Sequence, residues 1–355
     1  MEKRRLFLDV HAIQTLPPSN INRDDTGSPK TARYGGKTRA RVSSQAWKRA
    51  MRQYFSENSE EELGVRTKKI GEYVMNSIIR TSPSTSNEDA MQMAKDILKK
   101  AGIKLASNNE TKALFFLGKK QADALAKAAI DGEQDKNKLK EIIKDNPSID
   151  IALFGRMVAD DPELNEDASC QVAHAISTHE VHNEFDYYTA LDDLKGDDSS
   201  GAGMLGTVEY NSSTLYRYAT VAVHELLHQL GDKELVVQTL QLFIEAFSNS
   251  LPTGKINTFA NQTLPQALVV SIRDDRPANL VTAFETPIRS DNGYVDKSIK
   301  SLFEEEEHIE KFLHKPVSFL YLTDRDVVDK ERFGESKSNM DELLGDIANL
   351  VNENL

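Results

Sequence analysis

Strand-like segments on either side of a long helical block constrain this chain more than any other feature. From residue 57 to about 167 the sequence runs helix after helix: residues 91–100, 112–130 and 138–144 are rich in Ala, Leu, Lys and Glu with little β-branching. Before the block, residues 6–13 read as a strand; after it, residues 171–178, 215–223 and 268–273 do the same. A helix over 44–55 follows the first strand and another over 232–247 precedes the last, so the order without the block is βαββαβ. That order predicts an α+β fold: a ferredoxin-like, RRM-like palm carrying an inserted helical subdomain at 57–167. Residues 317–323 and 340–351 add a strand and a final helix. The aromatic RNP motifs of RNA-recognition modules are missing, so the fold alone supplies no RNA site. With 355 residues, 39% of them hydrophobic, the chain can bury a large core.

Charge is distributed unevenly along this frame. Residues 26–56 hold eight Lys or Arg and no Asp or Glu, in a chain of net charge −12. A local cationic stretch held against an acidic background suits a polyanion. Its second half has helical spacing: Trp47, Ala50, Met51, Tyr54 and Phe55 form an apolar stripe, and Gln45, Lys48, Arg49 and Arg52 repeat that spacing on another face. One side of such a helix is buried and the other presents a ridge of cations. Ser43 and Ser44 stand where an N-cap is expected, which puts free amides and the positive end of the helix dipole beside the ridge, a place for a phosphate. Upstream, Gly35 and Gly36 among Lys30, Arg33, Lys37, Arg39 and Arg41 read as a flexible cationic loop able to follow a sugar-phosphate backbone.

Several motifs in this order resemble the CasC family, the backbone subunits of the type I-E CRISPR surveillance complex Cascade. They include Ile21-Asn22-Arg23-Asp24-Asp25, Tyr34-Gly35-Gly36-Lys37 and the run Arg41-Val42-Ser43-Ser44-Gln45-Ala46-Trp47-Lys48-Arg49-Ala50. Further along come Phe154-Gly155-Arg156-Met157, His174-Ala175-Ile176-Ser177-Thr178-His179, Asp186-Tyr187-Tyr188-Thr189-Ala190, Leu205-Gly206-Thr207, Tyr216-Arg217-Tyr218-Ala219, Leu251-Pro252-Thr253-Gly254-Lys255 and Ala283-Phe284-Glu285. The match covers most of the chain and is weakest over 57–150.

The resemblance implies a palm, fingers and thumb: palm at 1–56, 168–191 and 215–355, helical fingers at 57–167, and a thumb hairpin at 192–214. It implies a non-catalytic subunit that polymerises along a CRISPR RNA and presents the guide's bases to target DNA, working with further copies of itself and with other Cascade subunits. Phosphate contacts then fall to Arg23, Lys30, Lys37, Arg41, Lys48, Arg49 and Arg52, with Ser43 and Gln45 as hydrogen-bonding groups at the helix start and Lys255 on a glycine-bearing loop. In the family's pattern Met157 props bases apart, and Met204, Leu205 and Thr207 of the thumb touch displaced nucleotides. The segment 195–206, with its four glycines and two serines, has the composition of a flexible surface loop, and the resemblance makes it the hairpin tip.

Other chemistry is weaker in the sequence. His224-Glu225-Leu226-Leu227-His228 matches HExxH, the zinc-binding turn of metallopeptidases, with Glu245 at a third ligand's distance. The residues before it read as a strand, so His224 is expected at a strand end, with the pattern arising by chance on a structural element. Asp24 and Asp25 are a paired carboxylate in a loop facing nucleic acid, where a metal-dependent endoribonuclease would hold Mg²⁺; they are expected to bond Arg23 or backbone amides instead. His174, His179 and His182 fit no single ligand face and are expected to be packing or surface residues. The one cysteine, Cys170, excludes an internal disulfide and a multi-cysteine zinc site. No cofactor, no signal peptide and no membrane span are expected, and the protein belongs in the cytoplasm.

Overall fold

The computed structural model describes residues 5–59, 61, 63–158, 161–190, 204–329 and 332–355. Strands Phe7–Ser19 (β1), Thr31–Tyr34 (β2) and Lys37–Val42 (β3) precede helix Ser44–Asn58 (α1). The inserted block holds Val65–Thr67 (β4), Ile70–Thr81 (α2), Asn87–Lys100 (α3), Phe115–Leu117 (β5), Lys119–Ile130 (α4), Lys136–Lys144 (α5) and Ile149–Phe154 (α6). Strands Cys170–Val172 (β6), Ala175–Ser177 (β7), Glu184–Ala190 (β8) and Met204–Ala222 (β9) lead into helices Val223–Leu230 (α7), Lys233–Asn249 (α8) and Ile256–Phe259 (α9). Ala267–Arg273 (β10), Val295–Ile309 (α10), Ser318–Thr323 (β11), Glu335–Ser336 (β12) and Met340–Asn354 (α11) complete the chain.

The main sheet runs β12-β11-β10-β1-β9-β7-β3-β2, and every pairing along it is antiparallel except β11 with β12. β1 is its central strand and is covered on both faces. Leu6, Leu8, Val10 and Ala12 alternate onto one face, where Met51 and Phe55 of α1, Leu240, Phe243 and Phe247 of α8, and Leu343 and Ile347 of α11 pack against them. Ile13 turns to the other face with Tyr216, Tyr218, Val269 and Tyr321, under Phe284 and under Ile299, Leu302 and Phe303 of α10. Asp9 and His11 face that side too and are satisfied by hydrogen bonds: Asp9 accepts from Tyr218 Oη and from the Ala278 amide, and His11 pairs with Tyr216 Oη.

The inserted block has a core of its own. Ile70, Val74 and Ile78 stand one turn apart along α2 and meet Ala90, Ala94 and Ile97 of α3, Leu125 of α4, and Leu139 and Ile143 of α5. The unit is not purely helical, because β4 and β5 pair at its base. Helix α6 belongs to the core of the main sheet instead, through Ala152 and Leu153. Two buried groups fasten this junction. Asp150 accepts from Arg52 Nε at 3.0 Å and from the Gly64 amide at 2.9 Å, while Arg52 also donates to the Gly64 carbonyl and lies over the Phe116 ring. Arg156 donates to the carbonyls of Leu164, Phe116 and Ile143, and burial lowers its pKa to about 10, which leaves it charged.

Five sequence expectations change. The helix expected over 112–130 begins only at Lys119, after the short strand β5. The cationic segment at 31–42 is not a loop but the hairpin β2–β3, turned by Gly35 and Gly36 at φ +56° and +75°, the two positive φ values of a type I′ turn. The strand expected over 171–178 is two short ones, β6 and β7. Helix α10, on the far face of the sheet, was not expected. The hairpin expected at 192–214 starts earlier: β8 pairs with the first half of β9, from Glu184↔Tyr210 to Ala190↔Met204, and β9 then continues into the main sheet. The proposed tip up to residue 203, and the side chain of Met204, lie outside the described residues. No described helix is long and apolar enough to cross a membrane.

Two contrasts test this packing by urea unfolding. A Cβ on Gly35 would sit 1.7 Å from the Glu285 carbonyl oxygen, whereas one on Gly36 meets nothing within 4 Å. Gly36→Ala is expected to cost about 1 kcal/mol from its positive φ alone, and Gly35→Ala at least twice that. Arg52→Ala strips a fully buried carboxylate of its cation and is expected to cost about 2 kcal/mol, with the Gly64 amide and Ser148 hydroxyl still bonded to Asp150. An Arg52→Ala protein as stable as the parent would mean that the pair does not tie the inserted block to α1 and the main sheet.

Candidate nucleic-acid interface

The start of α1 forms one wall of a groove of about 610 Å³, closed by residues 21–24 on one side and the loop 251–255 on the other. Ser43 is the N-cap: its backbone is extended and its hydroxyl accepts from the Ala46 amide. The Asn22 side chain in turn accepts from the Ser43 amide at 2.9 Å, which fixes the 21–24 loop against the helix start. The amides of Ser44 and Gln45 open the helix and have no carbonyl a turn earlier to bond. On the opposite wall Gly254 lies so close to residue 21 that a Cβ would stand 2.3 Å from the Ile21 carbonyl oxygen. Lys255 follows in the left-handed region at φ +52°, uncommon for a side chain of that size.

Arg23, Ser43, Gln45, Arg49 and Lys255 all line this groove, although they come from three separate parts of the chain. Its one acidic lining residue is turned inward on its own loop. Asp24 accepts from the amides of Thr26 and Ser28 and from the Thr26 hydroxyl. Those bonds, the Thr26 hydroxyl first, hold its carboxyl below the usual carboxylate range. This is the backbone-amide role expected for Asp24, without Arg23. A small cleft sharing Ile21 and Asn22 with the groove is lined by Lys30 and Arg41. There Arg41 donates to His174 Nδ1 at 3.1 Å, and burial, then Arg41 and Lys30, lower the His174 pKa. A neutral imidazole among cations leaves the positive field intact.

The other predicted residues stand apart from the groove. Lys48 is partly buried with its ammonium 5.5 Å from the Phe154 ring. Lys37, at the tip of β2–β3, pairs with Glu180 at 3.1 Å. Arg52 is a correction: its guanidinium is committed to Asp150, Gly64 and Phe116, so it braces the fold where a free phosphate ligand was expected. Arg39, counted in the cationic loop, is buried and donates to the carbonyls of Ser177 and Phe284. Met157 projects with 84% of its surface exposed just after the buried Arg156. Leu205 and Thr207 are exposed on the β8–β9 hairpin, opposite Thr189 and Tyr187, so all four share one face. Phe185 lies two residues from Tyr187 on that face and is also exposed. The sequence reading noted Tyr187 only within a family motif and passed over Phe185; the signal was their period-two alternation with Asp186 and Tyr188.

The HExxH residues lie on α7, beginning one residue after β9 ends, as the strand before them suggested. His224 Nδ1 is engaged with the Leu6 backbone and its ring meets Phe7 edge-on. Among the described residues no group of three or more His, Cys, Asp or Glu side chains is placed to hold a metal ion. His179 is a packing residue: its ring stacks on Tyr294, Nδ1 donates to the Glu180 carbonyl and Nε2 accepts from the Thr214 amide.

Residues 8–346 match the family model described as CT1975-like protein. No curated protein sequence matches the chain. Among solved structures, the chain is similar to one titled "CRISPR RNA-guided surveillance complex, pre-nicking", with 31% identity and a TM-score of 0.85 over 97% of this chain and 100% of that one. A second, titled "CRISPR RNA-guided surveillance complex", shows 28% identity and a TM-score of 0.66 over 97% and 99%. The chain belongs to the CT1975-like family of CRISPR-associated (Cas) proteins, which upholds the CasC-like resemblance read from its motifs.

Proposed function

We propose that this protein is a non-catalytic, guide-RNA-binding backbone subunit of a type I-E Cascade complex. Several copies line up along a CRISPR RNA and present it for pairing with target DNA. The observation that carries the reading is the convergence of Arg23, Ser43, Gln45, Arg49 and Lys255 on one groove beside a helix N-terminus. The groove offers cations and helix-start amides to phosphates, which suits a design in which sequence is read by the guide. The likeness to subunits of an RNA-guided surveillance complex supports the same reading. The strands β10-β1-β9-β7 with α1 and α8 form its ferredoxin-like palm, the unit built on α2–α5 its fingers and the β8–β9 hairpin its thumb. On this reading Met157, Met204, Leu205 and Thr207 separate and hold nucleotides, and the protein works in the cytoplasm.

The direct test is whether RNA of one defined length co-purifies with the protein. Because bound phosphates release counterions, affinity is expected to fall steeply with salt. Arg49→Ala and Lys255→Ala should each lower the slope of log K against log [salt] by about 0.7 and weaken all RNA sequences alike. A variant that loses affinity for one base sequence only would contradict backbone recognition.

The zinc motif makes a separate forecast. Glu225→Gln should leave RNA binding unchanged, and the purified protein should carry well under one zinc per chain. Stoichiometric zinc whose removal abolishes a hydrolytic activity would replace the present reading with an enzymatic one.

A further inference from the structure

Beside the groove, a cation fixes which nitrogen of one histidine can donate. His174, between β6 and β7, is exposed, and its Nδ1 stands 3.1 Å from Arg41 Nη1. A guanidinium only donates, so Nδ1 has to carry the lone pair and the ring's proton sits on Nε2. The surroundings keep the ring in that neutral form. Partial burial first, then Arg41 on β3 and Lys30 just before β2, hold its pKa below the ordinary histidine value, and no carboxylate is among the groups acting on it. Among the described residues nothing accepts a hydrogen bond from Nε2.

The two cations are held in place by backbone bonds. The Arg41 amide donates to the Lys30 carbonyl at 2.9 Å. Arg41 Nε donates to the Thr31 carbonyl and Nη1 to His174, which leaves Nη2 without a partner among the described residues. Neither Lys30 nor Arg41 has an ion-pair partner among those residues, whereas Lys37 on the same hairpin is matched by Glu180. In a chain with 56 Asp or Glu against 44 Lys or Arg, two neighbouring cations without a carboxylate are open to an anion from outside. Asn22 joins this set to the groove. Its carbonyl accepts from the Lys30 amide at 2.9 Å and its side chain from the Ser43 amide at 2.9 Å, so the start of α1 and the two cations are spaced through one residue.

We propose that Lys30, Arg41 and His174 form a second phosphate site adjoining the groove, in which His174 donates from Nε2 to an oxygen of the RNA phosphate next to the one held at the start of α1. Lys30 and Arg41 supply the charge, and the histidine supplies a directed donor that a count of charges does not reveal. The proposal rests on the reading of the groove as a guide-RNA site.

The test measures the affinity of the full-length chain for a fluorescent single-stranded RNA at several salt concentrations. His174→Ala is expected to weaken binding about fivefold with the slope of log K against log [salt] unchanged, since it removes a hydrogen bond and no charge. Arg41→Ala should lower that slope by about 0.7. His174→Gln, whose amide can accept from Arg41 and donate to a phosphate, should bind within twofold of the parent, a rescue that a merely structural role would not give. Binding of target DNA by the guide-loaded assembly is expected to be unaffected by His174→Ala; a loss confined to target DNA would overturn the proposal. So would parental RNA affinity in His174→Ala. If Arg49→Ala still weakens the same RNA, the groove reading survives that result, and if neither variant weakens it, both readings fall. Affinity that climbs as the pH is lowered from 8.5 to 7 in the parent but not in His174→Gln would mean an imidazolium contact and overturn the assigned donor.

Discussion

The guanidinium of Arg217 decides where the cationic helix sits. It is 2% exposed on β9, with its carbon 3.7 Å from the centre of the Trp47 ring and 4.4 Å from that of Phe247. It donates to the Gln14 side chain on β1 and to the Phe247 carbonyl on α8, so four elements meet at one planar cation. Burial lowers its pKa to about 9, which leaves it charged at neutral pH. Only a flat, delocalised cation can stack between two rings and still donate in its own plane. Because Trp47 is held down this way, α1 turns Gln45 and Arg49 away from the core and into the groove.

The eight cations of residues 26–56 read as one patch in the sequence and divide in space. Arg39 and Arg52 face inward, onto carbonyls and a buried carboxylate. Arg49 lines the groove, Lys30 and Arg41 line the cleft beside it, and Arg23 and Lys255, from outside the run, complete the surface. The groove thus draws on fewer charges than the run suggests, and on one charge from a loop more than 200 residues away. With the rest of the chain strongly acidic, a polyanion would be guided to this face by what surrounds it as much as by what lines it.

What could be read from the sequence followed the range of each interaction. The apolar stripe of α1, its Ser43 cap and helices α3 and α5 of the inserted block are local patterns that stand within a few residues of where periodicity put them, whereas the helix expected over 112–130 begins only at Lys119, after the strand β5, and α2 was not placed at all. The β2–β3 hairpin was missed because two adjacent glycines were taken for flexibility, when such a pair also suits the two positive φ values of a tight hairpin turn. Arg52 was read as a phosphate ligand because its partner lies 98 residues along the chain, and nothing local distinguishes a cation destined for a buried carboxylate from one destined for solvent. The earlier start of the hairpin, at β8, has a similar cause. Phe185 and Tyr187 look like core residues until the strand is seen to leave the sheet, which only the pairing with β9 reveals.

The same helix also links the groove to the inserted block. Arg49 and Arg52 are three residues apart, so they lie on neighbouring positions of one helical surface: the first opens into the groove, and the second holds Asp150 at the start of α6. Lys48 reaches the Phe154 ring at the other end of α6. Helix α6 is packed into the main-sheet core through Leu153, while Arg156, just beyond it, is anchored in the inserted unit by carbonyls from Phe116, Ile143 and Leu164. A displacement of the inserted unit therefore pulls on α6, and through Asp150 on the turn of α1 that carries Arg49. Met157 hangs from the same joint, next to Arg156. The geometry that sets Arg49 into the groove and the geometry that sets Met157 into solvent are consequently fixed by one buried junction.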